Sequence, residues 1–542
     1  MAALPSASPV AIRPAAIRAL LPDPATMPRR AALASLGLGV VAATGFQPIG
    51  LWPLALLAMG LFAALLPATR SWKQALWLGW LFGLGHFTLG NSWIATAFTY
   101  QANMPAVLGW AAVPLIAVYL GIYPALAAGA ARAVTRGVRG TAMALAFAAM
   151  WIVAEWLRSW VFTGYSWNPF GMVLLGPMDR PGLAALAPWM GTYALSGLAV
   201  LLAAGWVAAL LERRVVAGVL GGLLLVAGMH WPAGEGEDGT LAVTLVQPDI
   251  RQPRINDPLF YEANLVRLLQ RSHRLAGQEG PRLVLWPESG MADYLEDGYP
   301  QRYYDRTTTL GSPAFARALL ARTIGPDSLL LTGGQRLEIN DEGRLAGAYN
   351  SVLALGDDGE IRAIYSKAHL VPYGEYLPMR WLLEPLGLSR LVPGAVDFLP
   401  GPGPQTLDLG DYGQAGIQVC YEIIFSGQVT DRAARPDYIY TGSNDGWFGA
   451  AGPPQHFAQS RMRAIEEGLP VLRSTTTGIS GIIDARGVVR HMLPMHEAGR
   501  IDAVVPPAAP STLFARTGNA LALGWAFLFL LLAFVAMRQS RR

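Results

Sequence analysis

What constrains this chain first is a succession of apolar runs, each longer than a strand and broken only by short polar or basic stretches. Such runs near residues 31–47, 49–66, 74–97, 105–130, 141–158, 186–211 and 214–230, and one more at 519–537, predict membrane-spanning helices. Several are interrupted by Gly or Pro and fall short of the roughly 20 residues of a straight span. The first two can also be read as a partly re-entrant hairpin around Gln47-Pro48. Charged residues make up only 14% of the chain and mean hydropathy is +0.33. A soluble domain carries about 25% charged residues, so much of this chain belongs in lipid.

The basic residues orient the runs. Arg29 and Arg30 precede the first, Arg70 and Lys73 lie between the second and third, and Arg132, Arg136 and Arg139 follow the fourth. Arg213 and Arg214 separate the sixth and seventh, and Arg538, Arg541 and Arg542 close the chain. Loops of the other parity, 47–49 and 98–104, carry no charge, and 159–185 holds only Asp179 and Arg180. Positive residues stay in the cytoplasm, which puts both termini there and residues 231–518 on the outer side. The expected division is a flexible Ala/Pro-rich tail (1–28), a seven-helix membrane domain (29–230), a polar domain (231–518), and a C-terminal helix with a basic tail (519–542). The first run lacks a cleavage site ahead of a soluble segment and is not read as a signal peptide. A net charge of +4, clustered beside apolar runs, fits topology rather than nucleic-acid binding.

Two features of the membrane part bear on function. Glu155 lies inside the fifth run, where a carboxylate needs a partner, and Arg158 one turn later is the expected one. The loop Trp160-Val-Phe-Thr-Gly-Tyr-Ser-Trp-Asn-Pro-Phe-Gly171 reads either as a plain aromatic belt at headgroup level or as the lining of a lipid entrance.

From Gly239 the period changes. Strands are expected at 241–247, 282–286, 328–332, 349–355, 361–366, 406–409, 415–420, 438–441, 471–474 and 479–484, with helices at 258–278, 312–324, 422–434 and 454–468. Gly333-Gly334 reads as a tight turn closing the third strand. The pattern predicts a mixed α/β sandwich of two helix-covered sheets. Its one cysteine, Cys420, ends an apolar strand in Gly413-Gln-Ala-Gly-Ile-Gln-Val-Cys-Tyr-Glu422; a lone cysteine there suits an inert core position as well as a nucleophile. It excludes a disulfide framework and a thiolate-rich metal site.

Two further islands change that balance. Arg282-Leu-Val-Leu-Trp-Pro-Glu-Ser289 ends a strand at Glu288, and Ile364-Tyr-Ser-Lys-Ala-His-Leu-Val-Pro-Tyr-Gly-Glu375 carries Lys367, His369 and Glu375. In this order and context, Glu288, Lys367 and Cys420 resemble the Glu-Lys-Cys triad of the nitrilase (carbon–nitrogen hydrolase) superfamily. The flanking membrane runs narrow the resemblance to the apolipoprotein N-acyltransferase family, membrane enzymes of bacterial lipoprotein maturation.

The resemblance implies a nitrilase-like α/β domain on the periplasmic face of the inner membrane. It implies a ping-pong reaction in which Cys420 takes a fatty acyl chain from a phospholipid, phosphatidylethanolamine being the expected donor. The acyl group then passes to the α-amine of a diacylglyceryl-modified apolipoprotein. No metal, nucleotide or flavin is implied, and a monomer is expected. Lys367 would favour the thiolate and share the oxyanion with a backbone N–H near Tyr421, while Glu288 moves the proton. Glu375, Tyr421 and Glu422 match motif positions beside the triad, and of three carboxylates in one pocket at least one must be protonated or paired. Ser443-Asn-Asp-Gly-Trp-Phe-Gly449 and Gln455-His-Phe-Ala-Gln-Ser-Arg-Met-Arg-Ala-Ile-Glu466 resemble the family's elements beside the nucleophile. Asn444 and Asp445 are candidates to bind polar substrate groups, and Trp447 and Phe448 to wall the acyl chain. His369 is expected to be structural.

One position departs from the family. A tryptophan usual after the domain's first strand aligns with Asn256, so either the loop shifts or Phe260 or Tyr261 takes its contact. The apolar stretch Tyr376-Leu-Pro-Met-Arg-Trp-Leu-Leu-Glu-Pro-Leu-Gly-Leu388, followed by Leu391-Val-Pro393, favours a lipid substrate. A membrane-tethered amidase acting on a small amide remains the second reading, and a transporter with an external binding domain a third.

Overall fold

The computed structural model describes residues 21–100, 105–212, 214–234, 236–386 and 396–540. Arg213, Arg541, Arg542, most of the N-terminal tail, positions 101–104 and the Leu391–Pro393 stretch lie outside the described residues. The seven apolar runs before the polar region form α1 (Pro28–Ala43), α2 (Trp52–Leu65), α3 (Trp72–Gly90), α4 (Val107–Leu120), α5 (Ile122–Thr135), α6 (Thr141–Arg158), α7 (Ala187–Leu211) and α8 (Val215–Met229), the fourth run giving both α4 and α5, and the eighth run is helical at the C-terminus. Among the described residues, four stretches are long and apolar enough to cross a membrane: Val107–Thr135, where α4 and α5 abut at Gly121, then Thr141–Arg158, Leu183–Leu211 and Asn519–Gln539. The segment before α1 is not a free tail throughout, because Gln74 of α3 donates to the Pro24 carbonyl at 2.7 Å.

The polar region folds as two six-stranded sheets. The first has the order β12-β1-β2-β3-β4-β5 and the second β11-β10-β9-β8-β7-β6. The first sheet holds β1 (Ala242–Gln247), β2 (Arg282–Leu285), β3 (Ser328–Ile339), β4 (Leu345–Gly356), β5 (Ile361–Ser366) and β12 (Gly499–Val504). The second holds β6 (Thr406–Asp408), β7 (Gln414–Val419), β8 (Tyr438–Ser443), β9 (Val471–Thr475), β10 (Ser480–Ile483) and β11 (Val489–Leu493). The central strands β1–β2–β3 and β7–β8–β9 run parallel and the outer pairings are antiparallel. Strand alternation explains the layers. Val243, Leu245, Leu283 and Leu285 join Ile417, Val419 and Leu472 between the sheets. Val246, Val284 and Leu330 face the other way, under α9 (Tyr261–Gln270) and α10 (Pro313–Ile324).

The helix α11 (Gly452–Glu467) starts on a Pro pair, where lost N–H groups cost nothing, and ends at Gly468 in the left-handed region. Its two faces serve two domains. Phe457 and Ala464 pack on the second sheet, while Ala458, Met462 and Ile465 belong to the core of the membrane helices. The chain closes with α12 (Asn519–Gln539), which packs on α6 and α7.

Several expectations are corrected. The stretch 422–434 holds no long helix: a single 3₁₀ turn, Cys420–Ile424, is followed by irregular chain. The third strand does not stop at Gly333-Gly334 but runs on to Ile339. A Cβ at Gly333 would lie 2.2 Å from the Glu288 carbonyl oxygen, so the glycine admits a neighbouring backbone rather than a turn. Strands β11 and β12 were not expected from the pattern. The aromatic loop divides: Trp160 and Phe162 are exposed, whereas Trp167 and Phe170 are fully buried between the domains. The expected Glu155–Arg158 ion pair does not form. Glu155 accepts from Trp151 Nε1 at 2.9 Å and the Phe170 N–H at 2.7 Å, and Arg158 donates to the Trp167 carbonyl at 2.8 Å.

Candidate active site

The expected triad residues sit at carboxyl ends of strands, where neighbouring ladders stop and leave a cleft. Glu288 follows β2, Lys367 follows β5 directly, and Cys420 follows β7 directly. All three line one cavity of about 980 Å³.

Lys367 is buried, with its Nζ 3.0 Å from Glu375 and 3.8 Å from Glu288. Asn350 on β4 joins the two carboxylates, its Nδ2 donating to Glu288 at 2.7 Å and to Glu375 at 2.9 Å. The Asn444 N–H donates to the other Glu288 oxygen at 2.8 Å. Tyr440 of β8 fixes the segment leading to Glu288 through a hydrogen bond from its hydroxyl to the Trp286 carbonyl.

The charges follow from this packing. Burial raises Glu288 above the usual carboxylate range; Lys367 opposes the rise and Glu375 reinforces it. Burial works against the Lys367 ammonium, but Glu375 and Glu288 outweigh it, so Lys367 stays charged well above its ordinary range. Burial pushes the Cys420 thiol up, Glu288 adds to this, and Lys367 offsets only part. Lys367 favours the thiolate, as expected, but burial and Glu288 outweigh it. The cysteine rests as a thiol beside a carboxylate whose proton affinity is raised.

Cys420 has φ +51°, a left-handed conformation that costs a non-glycine residue energy and is held by its surroundings. Glu422 supplies part of that hold. One of its oxygens accepts from the Val419 N–H at 2.8 Å. The other accepts from Tyr365 at 2.8 Å, the Ala368 N–H at 2.8 Å and the His369 N–H at 3.1 Å. Glu422 therefore straps the Lys367 segment to the nucleophile turn. His369 stacks on Phe425 at 3.6 Å, and burial lowers it to about 4, leaving it neutral and structural.

The other candidates divide. Tyr421, Asn444, Trp447 and Phe448 line the cavity, as do Asn256 and Tyr261. Of the two aromatics proposed to replace the missing tryptophan, Tyr261 is the one at the wall. Asn444 is held within the protein, its side chain bonded to Gln252 at 2.9 Å and Thr476 at 2.8 Å. Asp445 is a correction: it is buried outside the cavity lining. Two contacts of 2.9 and 2.8 Å join it to Arg473, and it accepts from Ser443 at 2.6 Å. Sequence reasoning missed Asn350 and His456. The polar pair Asn350-Ser351 in the otherwise apolar run of β4 was the available signal for the first, and the buried helix α11 hid the second.

At its other end the cavity leaves the polar domain. Its wall there is Ile94, Phe98, Leu108, Ala112, Leu115 and Tyr119, from α4 and the chain before it. Leu377 and Met379 of the apolar stretch, with Tyr373 before it and Phe398 after it, close a third side, next to Trp381, which is 78% exposed. Among the described residues no group of three or more His, Cys, Asp or Glu is disposed to hold a metal ion.

Residues 38–205 match the model of the apolipoprotein N-acyltransferase N-terminal domain, and residues 242–508 match that of carbon-nitrogen hydrolase. An apolipoprotein N-acyltransferase of Rhodopseudomonas palustris is 31% identical over 91% of this chain and 92% of its own. Its counterpart in Nitrosomonas europaea is 32% identical over 94% of this chain and 98% of its own.

The chain belongs to the apolipoprotein N-acyltransferase family.

A counterpart from Bradyrhizobium diazoefficiens is 32% identical over 94% of this chain and 96% of its own. Among solved structures, Saccharomyces cerevisiae Nit3, of branch 10 of the nitrilase superfamily, aligns with 49% of this chain and 90% of its own. Its TM-score is 0.35 at 18% identity.

Proposed function

We propose that this chain moves a fatty acyl group from a membrane phospholipid, through a thioester on Cys420, to the α-amine of an apolipoprotein's N-terminal diacylglyceryl-cysteine. The observation that carries the reading is the single cavity with Cys420, Lys367 and Glu288 at one end and the apolar wall of α4 at the other. An acyl chain entering from lipid would lie along Leu108, Ala112 and Leu115 with its ester carbonyl at the sulfur. A small soluble amide has no use for that wall.

In the first half-reaction the Cys420 thiol gives its proton to Glu288 as the sulfur attacks the ester carbonyl. The Lys367 ammonium and the Tyr421 N–H receive the charge that grows on the oxygen. Collapse breaks the ester C–O bond, Glu288 returns the proton to the leaving alkoxide, and lysophospholipid departs. In the second half-reaction the acceptor amine attacks the thioester carbonyl, Glu288 takes a proton from nitrogen, the C–S bond breaks to leave the amide, and Glu288 passes the proton to the Cys420 sulfur. The apolar side made by Tyr373, Leu377, Met379 and Phe398 would keep water off the thioester.

In this reading all eight apolar runs span the inner membrane, seven of them within 29–230, with α4 and α5 together making one span, and the last within 519–542. Both termini are cytoplasmic and the 231–518 domain is periplasmic. The basic clusters support that orientation, and phosphatidylethanolamine is the expected donor. The test incubates purified wild-type and C420A protein with labelled phospholipid and a diacylated lipopeptide. Label should appear on wild-type Cys420 and discharge to the lipopeptide amine. Discharge to water alone, or turnover of small amides without lipid, would favour the amidase reading, and full activity in C420A would remove Cys420 as nucleophile.

A further inference from the structure

His456 belongs to none of the cavity walls, yet it touches the nucleophile's own backbone. Its Nε2 lies 3.0 Å from the Cys420 carbonyl oxygen. On the other side of the ring, Nδ1 lies 3.0 Å from Arg473 Nη2 and 3.0 Å from Asp445 Oδ1. Arg473, Asp445 and His456 are all buried and form one closed array with Ser443. A carbonyl oxygen can only accept, so the hydrogen on Nε2 is required, and Arg473 supplies the donor for Nδ1. Trp167 and Phe448 pack against the ring, with centroids 5.3 and 5.5 Å away.

The consequence lies in the peptide plane. In a trans peptide the C=O of one residue and the N–H of the next point in opposite directions within one rigid unit. Fixing the Cys420 oxygen toward His456, outside the cavity, turns the Tyr421 N–H the other way. Tyr421 is the second residue of the Cys420–Ile424 turn, so its N–H has no acceptor within that turn. A hydrogen bond received at the carbonyl also polarises the unit and strengthens its N–H as a donor. The left-handed φ of Cys420 makes this anchoring necessary, because the plane would otherwise relax.

We infer that His456, held by Arg473, which Asp445 anchors in turn, is a positioning residue that orients the Cys420–Tyr421 peptide as the oxyanion donor. It acts through that peptide and touches no reacting atom. This rests on the thioester reading above.

The test separates oxyanion chemistry from simple thiol reactivity in the full-length protein. His456→Phe should slow acylation of Cys420 from phosphatidylethanolamine vesicles by roughly 10–100-fold, less than outright loss of a donor, with KM for the lipid unchanged. Alkylation of Cys420 by iodoacetamide builds no oxyanion and should stay within about threefold of wild type, by the same reasoning. His456→Gln, whose side-chain N–H can reach the same carbonyl, should recover a large part of the acylation rate. Because Cys420 is the only cysteine, 1-¹³C-cysteine marks this one carbonyl, and its amide band should move to higher frequency in the Phe variant. Should the Phe variant not fold, the shorter His456→Asn carries the same comparison. Equal losses in acylation and alkylation, equal losses in the Phe and Gln variants, or an unmoved carbonyl band would each overturn the inference. Failure of the thioester reading looks different: wild-type Cys420 would never acquire the acyl group, and both proposals would go.

Discussion

Replacing Lys367 with Met tests the electrostatics of the site most directly. Met keeps most of the stem volume and removes a buried ammonium that lies 3.0 Å from Glu375 and 3.8 Å from Glu288. Two costs follow. An oxyanion loses one of its donors, which is worth about 3–4 kcal/mol, or a factor of roughly 10² to 10³ in thioester formation. A buried ion pair also loses its cation, which costs on the order of 3–5 kcal/mol of stability when nothing replaces it. The second cost depends on pH. Lys367 is what opposes the burial-driven rise at Glu288, so without it Glu288 holds its proton to higher pH still. The folded variant then binds that proton more tightly than the unfolded chain does. Its stability therefore falls as pH rises toward the raised folded pKa, and recovers as pH drops to the ordinary glutamate range. Thioester formation measured by intact-protein mass spectrometry, together with melting in detergent at several pH values, reads both costs. A folded K367M that acylates within tenfold of wild type would refute the argument, as would a stability loss that grows on acidification.

Three further outcomes are expected. The acylation rate of wild-type protein should fall on acidification with a limb above the ordinary glutamate range, because Glu288 must be unprotonated to act and its pKa is raised; E288Q should abolish the limb along with most of the rate, as a pH–rate series would show. Gly333→Ala should displace the Glu288 backbone that stands 2.2 Å from the new methyl, lowering the melting temperature and cutting acylation at least tenfold, by the usual sensitivity of rate to sub-ångström misplacement. Ala112→Trp should fill the α4 side of the cavity, raising KM for long-chain phospholipid several-fold while leaving iodoacetamide alkylation of Cys420 unchanged; equal effects on both reactions would argue against a lipid path along α4.

The sequence by itself determined the parts that depend on local order. Apolar runs of helical length, the switch to short alternating strands after Gly239, and three reactive residues each ending a strand can all be read one segment at a time, because hydrophobic period and strand termini are local properties. Tertiary structure alone decided which polar groups face each other. Glu155 and Arg158 stand one turn apart yet bond elsewhere, since the Phe170 and Trp167 backbones reach them first. Asp445 looked free to meet substrate and is instead held by Arg473, which lies 28 residues away in sequence. Gly333 looked like a turn and is a place where β3 meets the backbone of the segment after β2. The thiol's proton affinity is likewise set by the fold, because burial at the meeting of two sheets outweighs a nearby cation. Pairing energies of this kind depend on distance and dielectric in the assembled core, and neither quantity exists until the chain has folded.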